Sequence, residues 1–467
     1  MTLLLATSCA HRPQRSYPVP TKQQLEWQQL ETYAFIHFGL NTFNDMEWGY
    51  GDTPAETFNP TNLDCEQWVL TLKNCGMKGV ILTAKHHDGF CLWPTETTDY
   101  SIKNSPYKHG QGDLVGELCE ACKKHGLKFG LYLSPWDRHQ AEYGHSGYVE
   151  LYHRQIQELT EKYGPLFEFW FDGANGGDGW YDGAKETRSI VAEQYYNYEK
   201  ARDIVWKNNP DAMIFGGTVP TIRWIGNEEG KAGATLWSGY HTDFISLNDT
   251  KSLSQGFMEG EAWLPAEVDV SIRPGWFYHE SESPKSLEQL LDIYYQSVGR
   301  NTNLLLNFPV DQTGRISKED SLRAMEWHQA IESAFTMDLL QGCKVTASNT
   351  RSSRFSPKYV LDIDYNRYWA VEDGVNKAEL VFEFPETTSF NTVVLQEYIP
   401  LGQNVKGFSI SYYKNGKWLP VETDEVMTTI GYKRIVRFNT VNAEKLRIRF
   451  WTGKGTLCIT STSAHRS

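Results

Sequence analysis

The sequence predicts an α/β protein, a (β/α)8 TIM-like barrel, followed by an all-β sandwich. Buried apolar runs alternate with helical periods over about 300 residues, the pattern of parallel strands joined by crossover helices. After Met337 the helical periods stop, and short alternating runs separated by turn residues take over. Several apolar runs end in His, Trp or Asp, as expected where a barrel carries its chemistry at the C-terminal ends of its strands. The barrel is assigned to residues 17–337, the sandwich to 338–467, and 1–16 to a leader outside the fold.

The leader has a short apolar run, small residues and then Cys9, and so resembles the end of a bacterial lipoprotein signal. It predicts export to the periplasm or outer membrane with a lipid anchor at Cys9, although the positively charged start is missing and the apolar run is short. Ala34 to Gly39 reads as the first strand and ends beside His37. A loop carrying Asn41, Glu47, Trp48 and Asp52 follows, then a helix from Asn62 to Cys75 with Leu63, Trp68, Val69 and Leu72 on one face. Gly79 to Ala84 is a second buried strand and runs into Lys85-His86-His87. Asp113 to His125 is a helix closed by Gly126. The third strand is Lys128 to Ser134, and a helix from Gly147 to Tyr163 comes after it.

The fourth strand, Leu166 to Phe171, is an aromatic run with Asp172 and Gly173 at its end. Side chains alternate along a strand, so Glu168, Trp170 and Asp172 share the inner face. Asp172 then sits on the rim; the plainer alternative is a cap for the next helix. Glu168, deeper inside, requires a cationic or hydrogen-bonding partner, with Lys85 the candidate. A helix from Ile190 to Asn208, a fifth strand at Ala212–Gly217, a sixth at Val268–Ile272, a helix at Ser286–Val298, a seventh strand at Asn303–Asn307 and a helix at Lys318–Ala334 complete the pattern. An eighth strand is not readable. In the sandwich, strands are expected at 377–384, 390–396, 407–413, 434–438 and 445–450, with a hairpin at Asn415-Gly416.

Composition narrows the function. A formal charge of −13 argues against a nucleic-acid partner. No run is long and apolar enough to span a bilayer. The chain has 16 Trp and 25 Tyr, whose faces match the C–H faces of sugars as well as they fill cores. The eight Cys are scattered; Cys119 and Cys122 form a CxxC within a helical pattern with no second pair, which is not a zinc signature. Cys343 and Cys458 could pair.

His37, His86, His87, Tyr132, Trp170 and Asp172 all fall at strand ends and so converge on one rim. Metal-assisted hydrolysis could use His37, His86, His87 and Asp172 as ligands, but a His-x-His after the first strand is absent, because position 39 is Gly. Glycoside hydrolysis uses more of the set: histidines bind hydroxyls, Trp covers an apolar sugar face, and a carboxylate attacks. It needs a second carboxyl as proton donor, and Glu228, Glu229 and Glu267 are the candidates.

These residues resemble the α-L-fucosidases of glycoside hydrolase family 29, from Phe35 to about Pro309 and on into the sandwich. The matching stretches are Phe35-Ile-His-Phe-Gly-Leu-Asn-Thr-Phe, Glu47-Trp48, Ala84-Lys-His-His-Asp-Gly-Phe, Gly130-Leu-Tyr-Leu-Ser and Phe169-Trp-Phe-Asp-Gly-Ala. The resemblance implies a retaining enzyme with Asp172 as nucleophile, a fucose pocket of His37, Glu47, Trp48, His86, His87 and Tyr132 with Trp170 beside them, and no metal or organic cofactor. The stretch Arg223-Trp-x-Gly-Asn-Glu is similar to the subgroup acting on α-1,3/1,4-linked fucose of branched glycans. It implies Glu228 as acid/base, Arg223 against the sugar, and a discoidin-type, carbohydrate-binding-like sandwich that packs on the barrel. The loops Tyr143–Gly147 and Gly176–Gly183 would set the linkage. A non-catalytic fucose-binding protein on the same scaffold is the alternative, tested by binding without turnover.

Overall fold

The computed structural model describes residues 12–467 apart from 245–248 and 363. Cys9, where the lipid anchor is expected, lies outside the described residues. Eight parallel strands form the barrel: β1 Thr32–Ile36, β2 Gly79–Lys85, β3 Lys128–Leu133, β4 Leu166–Phe171, β5 Met213–Phe215, β6 Arg223–Trp224, β7 Ala266–Ser271 and β8 Thr302–Asn307. They neighbour one another in the order β5-β4-β3-β2-β1-β8-β7-β6, and a parallel bridge between Phe215 and Ile222 joins the two ends.

The strand missing from the sequence reading is β6. It is two residues long and follows β5 with no helix between them, so neither an apolar run nor a crossover period marks it. The strands expected as sixth and seventh are therefore the seventh and eighth. The long helices form where the periodicity places them and are capped by side chains: Asp64 before Cys65–Asn74, Asp113 before Leu114–His125 and Ser286 before Leu287–Gln296. The helix expected from Ile190 to Asn208 is two, Ala192–Tyr195 and Tyr198–Asn208, because Asn197 adopts a left-handed conformation and caps the second.

Inside the barrel the side chains stack in layers. At the bottom Glu168 and Glu267 face each other, and Trp27 plugs the end, its indole N–H donating to Glu168 at 2.8 Å. Lys85 is not the partner of Glu168. It points outward, buried with Asp137 at 3.2 Å, the Tyr148 hydroxyl at 3.1 Å and the Gln155 amide oxygen at 3.0 Å. Phe35, Tyr132, Trp170 and Phe215 form the next layer, with Trp170 stacked on Phe215 at 4.0 Å between ring centres.

The C-terminal domain is antiparallel. The five expected runs belong to three strands, since Lys377–Glu397 and Arg434–Thr452 each absorb two. Where a break was expected the pair shifts register between Glu383 and Thr388, a bulge that bends both strands. Asn415 and Gly416 form the hairpin turn, both with positive φ. Cys343 and Cys458, which the sequence left open as a pair, carry free thiols. The domain grips the barrel at the segment following β6: Gln403 bonds the main chain of Leu236 and Ser238, and Thr429 accepts from the Leu236 N–H. Ser16, assigned to the leader, donates its N–H to Leu401 on the domain surface.

Candidate active site

The C-terminal ends of the strands surround a cavity of about 410 Å³. All ten sequence-predicted site residues border it: His37, Glu47, Trp48, His86, His87, Tyr132, Trp170, Asp172, Arg223 and Glu228. Asp172 sits one residue past β4. One carboxylate oxygen accepts from the Ala174 N–H at 2.7 Å, and the other accepts from the Tyr132 hydroxyl at 2.7 Å with His87 Nε2 3.8 Å away. Both oxygens are thus aimed, and the group is still partly open to the cavity.

The three histidines are buried and neutral. Burial pushes His37 down to about 3 and His87 down to about 4, Asp172 only partly opposing it at His87. Burial and the other two rings hold His86 well below the ordinary histidine range. Their hydrogen bonds fix which nitrogen carries the proton. The Asn307 amide donates to Ser271 and to the Trp276 carbonyl, so its oxygen accepts from His37 Nδ1 at 2.8 Å. Ser134 gives its proton to the Trp136 carbonyl and therefore accepts from His87 Nδ1 at 2.7 Å. Both rings are left with Nε2 as an acceptor. His86 is reversed: its Nδ1 accepts from Asn41 at 3.4 Å, which leaves Nε2–H as a donor. Two acceptors and one donor suit a ring of hydroxyls.

Glu228 lies on the loop after β6, at the open edge of the cavity. The Trp276 indole N–H donates to it at 3.3 Å. The residue is exposed at the rim, yet desolvation beside the cavity wall, with Asp172 and Glu47 close enough to repel a second charge, raises its carboxyl above the ordinary glutamate range against the Trp276 bond. Glu229, the neighbouring candidate, is exposed as Glu228 is, but it does not border the cavity. Glu267, the third, is a fully buried core residue of the bottom layer: it accepts from Trp170 at 2.9 Å and from the Tyr33 hydroxyl. Its position on the inner face, two residues below the rim, makes it unreachable.

Arg223 also departs from expectation. It touches the cavity, but its guanidinium donates to the carbonyls of Leu253, Trp237 and Leu264 and holds the segment after β6 instead of a sugar. Glu47 ties its loop to the one after β7, accepting from the Trp276 and Phe277 N–H groups at 2.9 and 3.1 Å and bonding His279 at 2.8 Å. Trp48 meets His87 edge-on at 5.0 Å and is half exposed at the entrance. Sequence reasoning missed Trp224, Asp269 and Trp276, which also line the cavity. Alternation along β7 from Glu267 would have put Asp269 on the inner face. The metal alternative requires three donors in ligating geometry; among the described residues no group of three or more His, Cys, Asp or Glu is so placed.

A barrel with several carboxyls on one cavity, neutral imidazoles and indole walls belongs to the class that processes sugars at the strand ends. The sequence model of the α-L-fucosidase family matches residues 15–329, and that of the F5/8 type C domain matches 344–462. The chain belongs to the α-L-fucosidase family, glycoside hydrolase family 29. It is 45% identical to α-L-fucosidase 1 of Arabidopsis thaliana over 440 residues, covering 92% of this chain and 84% of the relative. Among solved structures, a glycoside hydrolase 29 family member from an unknown rumen bacterium is 42% identical, with a TM-score of 0.87 over 97% of this chain and 78% of the other. A Ruminococcus gnavus family 29 fucosidase in complex with fucose is 34% identical, with a TM-score of 0.89 over 98% and 96% of the two chains.

Proposed function

We propose that the chain is a retaining exo-α-L-fucosidase that removes terminal α-1,3/1,4-linked fucose from branched glycans. α-L-Fucosidase activity accords with its family; the finer reading rests on Asp172 and Glu228 bordering one cavity with opposite protonation tasks. Asp172 attacks the anomeric carbon while Glu228 protonates the departing oxygen. Retention expects the two carboxyls to act about 5–5.5 Å apart on opposite sides of the bond. Once Asp172 is esterified its charge no longer repels a second anion, so Glu228 ionises more readily and can take the proton from the attacking water. His37 and His87 accept from sugar hydroxyls, His86 donates, and Trp48 closes the entrance. Export with lipidation at Cys9 belongs to the same reading, supported by the leader composition, and labelling with a fatty acid in a bacterial host, lost in Cys9→Ala, tests it.

The chemistry is tested with an aryl α-L-fucoside. Asp172→Ala should be inactive, and azide should restore turnover to Glu228→Ala with fucosyl azide as product. Full activity of Asp172→Ala would overturn the assignment. Turnover of Lewis-type oligosaccharides alongside the aryl fucoside tests linkage: equal release from α-1,2-linked substrates would remove that claim and leave the mechanism standing.

A further inference from the structure

Asp269 has no assigned role, yet it is the most deeply set carboxyl bordering the cavity. It lies on the inner face of β7, one layer above Glu267, and is 3% exposed. Oδ1 accepts from the Trp224 indole N–H at 2.8 Å. Oδ2 takes no hydrogen bond from any other described residue, and only the backbone N–H of Asp269 itself bears on the carboxyl besides the indole. The side chain borders the sugar cavity, so the remaining hydrogen-bonding capacity of Oδ2 is available to what the cavity holds.

We propose that Asp269 is a substrate-binding residue whose Oδ2 pairs with a hydroxyl of the sugar ring held between Asp172 and Glu228. The inference rests on the fucosidase reading for the identity of that sugar. The charged groups that bear on Asp269 are both acids: Glu228 on the loop above β6 and Glu267 below it on its own strand. Burial and these neighbours keep its carboxyl protonated, with the bonds from Trp224 and from its own backbone N–H only partly opposing them. A neutral acid on the cavity wall offers Oδ2–H as a donor, and it places no further negative charge beside Glu228 when that residue has to ionise. The two carboxyls therefore divide the work: one changes its proton during the reaction, and the other keeps it and grips a hydroxyl.

The test is calorimetric binding of L-fucose and its monodeoxy analogues to the full chain and to D269N and D269A. D269A should bind fucose about tenfold or more weakly, the loss of one buried hydrogen bond. One deoxy analogue should bind wild type and D269A equally, because its missing hydroxyl is the one Asp269 holds. D269N, whose amide donates as the neutral acid does, should stay within about threefold of wild type. Unchanged fucose binding by D269A, or an equal D269A penalty for every analogue, overturns the inference. So does a D269N loss as large as that of D269A, which would mean that the ionised form is required. If D269A fails to fold by circular dichroism, D269S is judged by the same criteria. Turnover of an aryl fucoside by the unaltered chain tests the fucosidase reading separately.

Discussion

At Glu228 a raised carboxyl and the proposed acid/base task meet in one side chain. In that role the group has to arrive protonated, so activity should be full below its folded pKa and fall as pH rises through it. In Glu228→Gln with a fucoside whose leaving group needs no proton, the alkaline limb of kcat/KM should disappear while the acid limb stays; persistence of the alkaline limb would assign it elsewhere. The buried histidines act in the opposite direction on stability. His37 and His87 stay neutral in the fold and protonate on unfolding, so their contribution is complete above about pH 6.5 and is lost as pH falls toward their lowered values. Urea midpoints should therefore drop between about pH 6.5 and 4, and less steeply in His37→Gln.

Among the strands, legibility followed length and burial. β2, β3 and β4 are continuous apolar runs ending in chemistry, so their rim residues could be named from sequence; β6 is two residues long and sent its carboxyl, Glu228, onto a loop that only family resemblance singled out. On β7 the acid among the predicted candidates, Glu267, lies one layer too deep, while Asp269 on the same inner face and Trp276 beyond the strand line the cavity. What lay inside the barrel was harder still, since pairing across the axis is not encoded locally: Glu168 found Trp27 and Glu267 instead of a lysine. Burial and the neighbouring Glu267 hold Glu168 protonated. A raised acid favours the unfolded state as pH climbs above the unfolded value, so Glu168→Gln should raise the urea midpoint at about pH 8 and leave it nearly unchanged at about pH 4. Lys85, just before the two histidines, shows the reverse case of a buried ion that is fully partnered. Lys85→Ala should lower stability by about 3–5 kcal/mol in thermal or denaturant unfolding, because Asp137 would be left as an uncompensated buried charge.

For the molecule as a whole, the sandwich does more than trail the barrel. Besides Gln403 and Thr429, Arg434 and Arg300 share Glu425 at 3.0 and 3.1 Å; Arg434 also donates to the Ala234 carbonyl and Arg300 to that of Ala232. These contacts fix the chain just after the loop bearing Glu228, while Arg223 holds the same chain from inside the barrel at Trp237. The position of the proposed acid/base thus depends on a domain that contributes no residue to the lining of the cavity. The barrel is least secured where β5 meets β6, which are three and two residues long. Phe215, Ile222 and Trp224 at that junction are also walls of the cavity. Warming should therefore silence turnover before it melts the protein. Deuterium uptake at residues 213–224 should outpace that across β2 and β3 at temperatures where far-ultraviolet dichroism is still unchanged, and bound fucose should slow it.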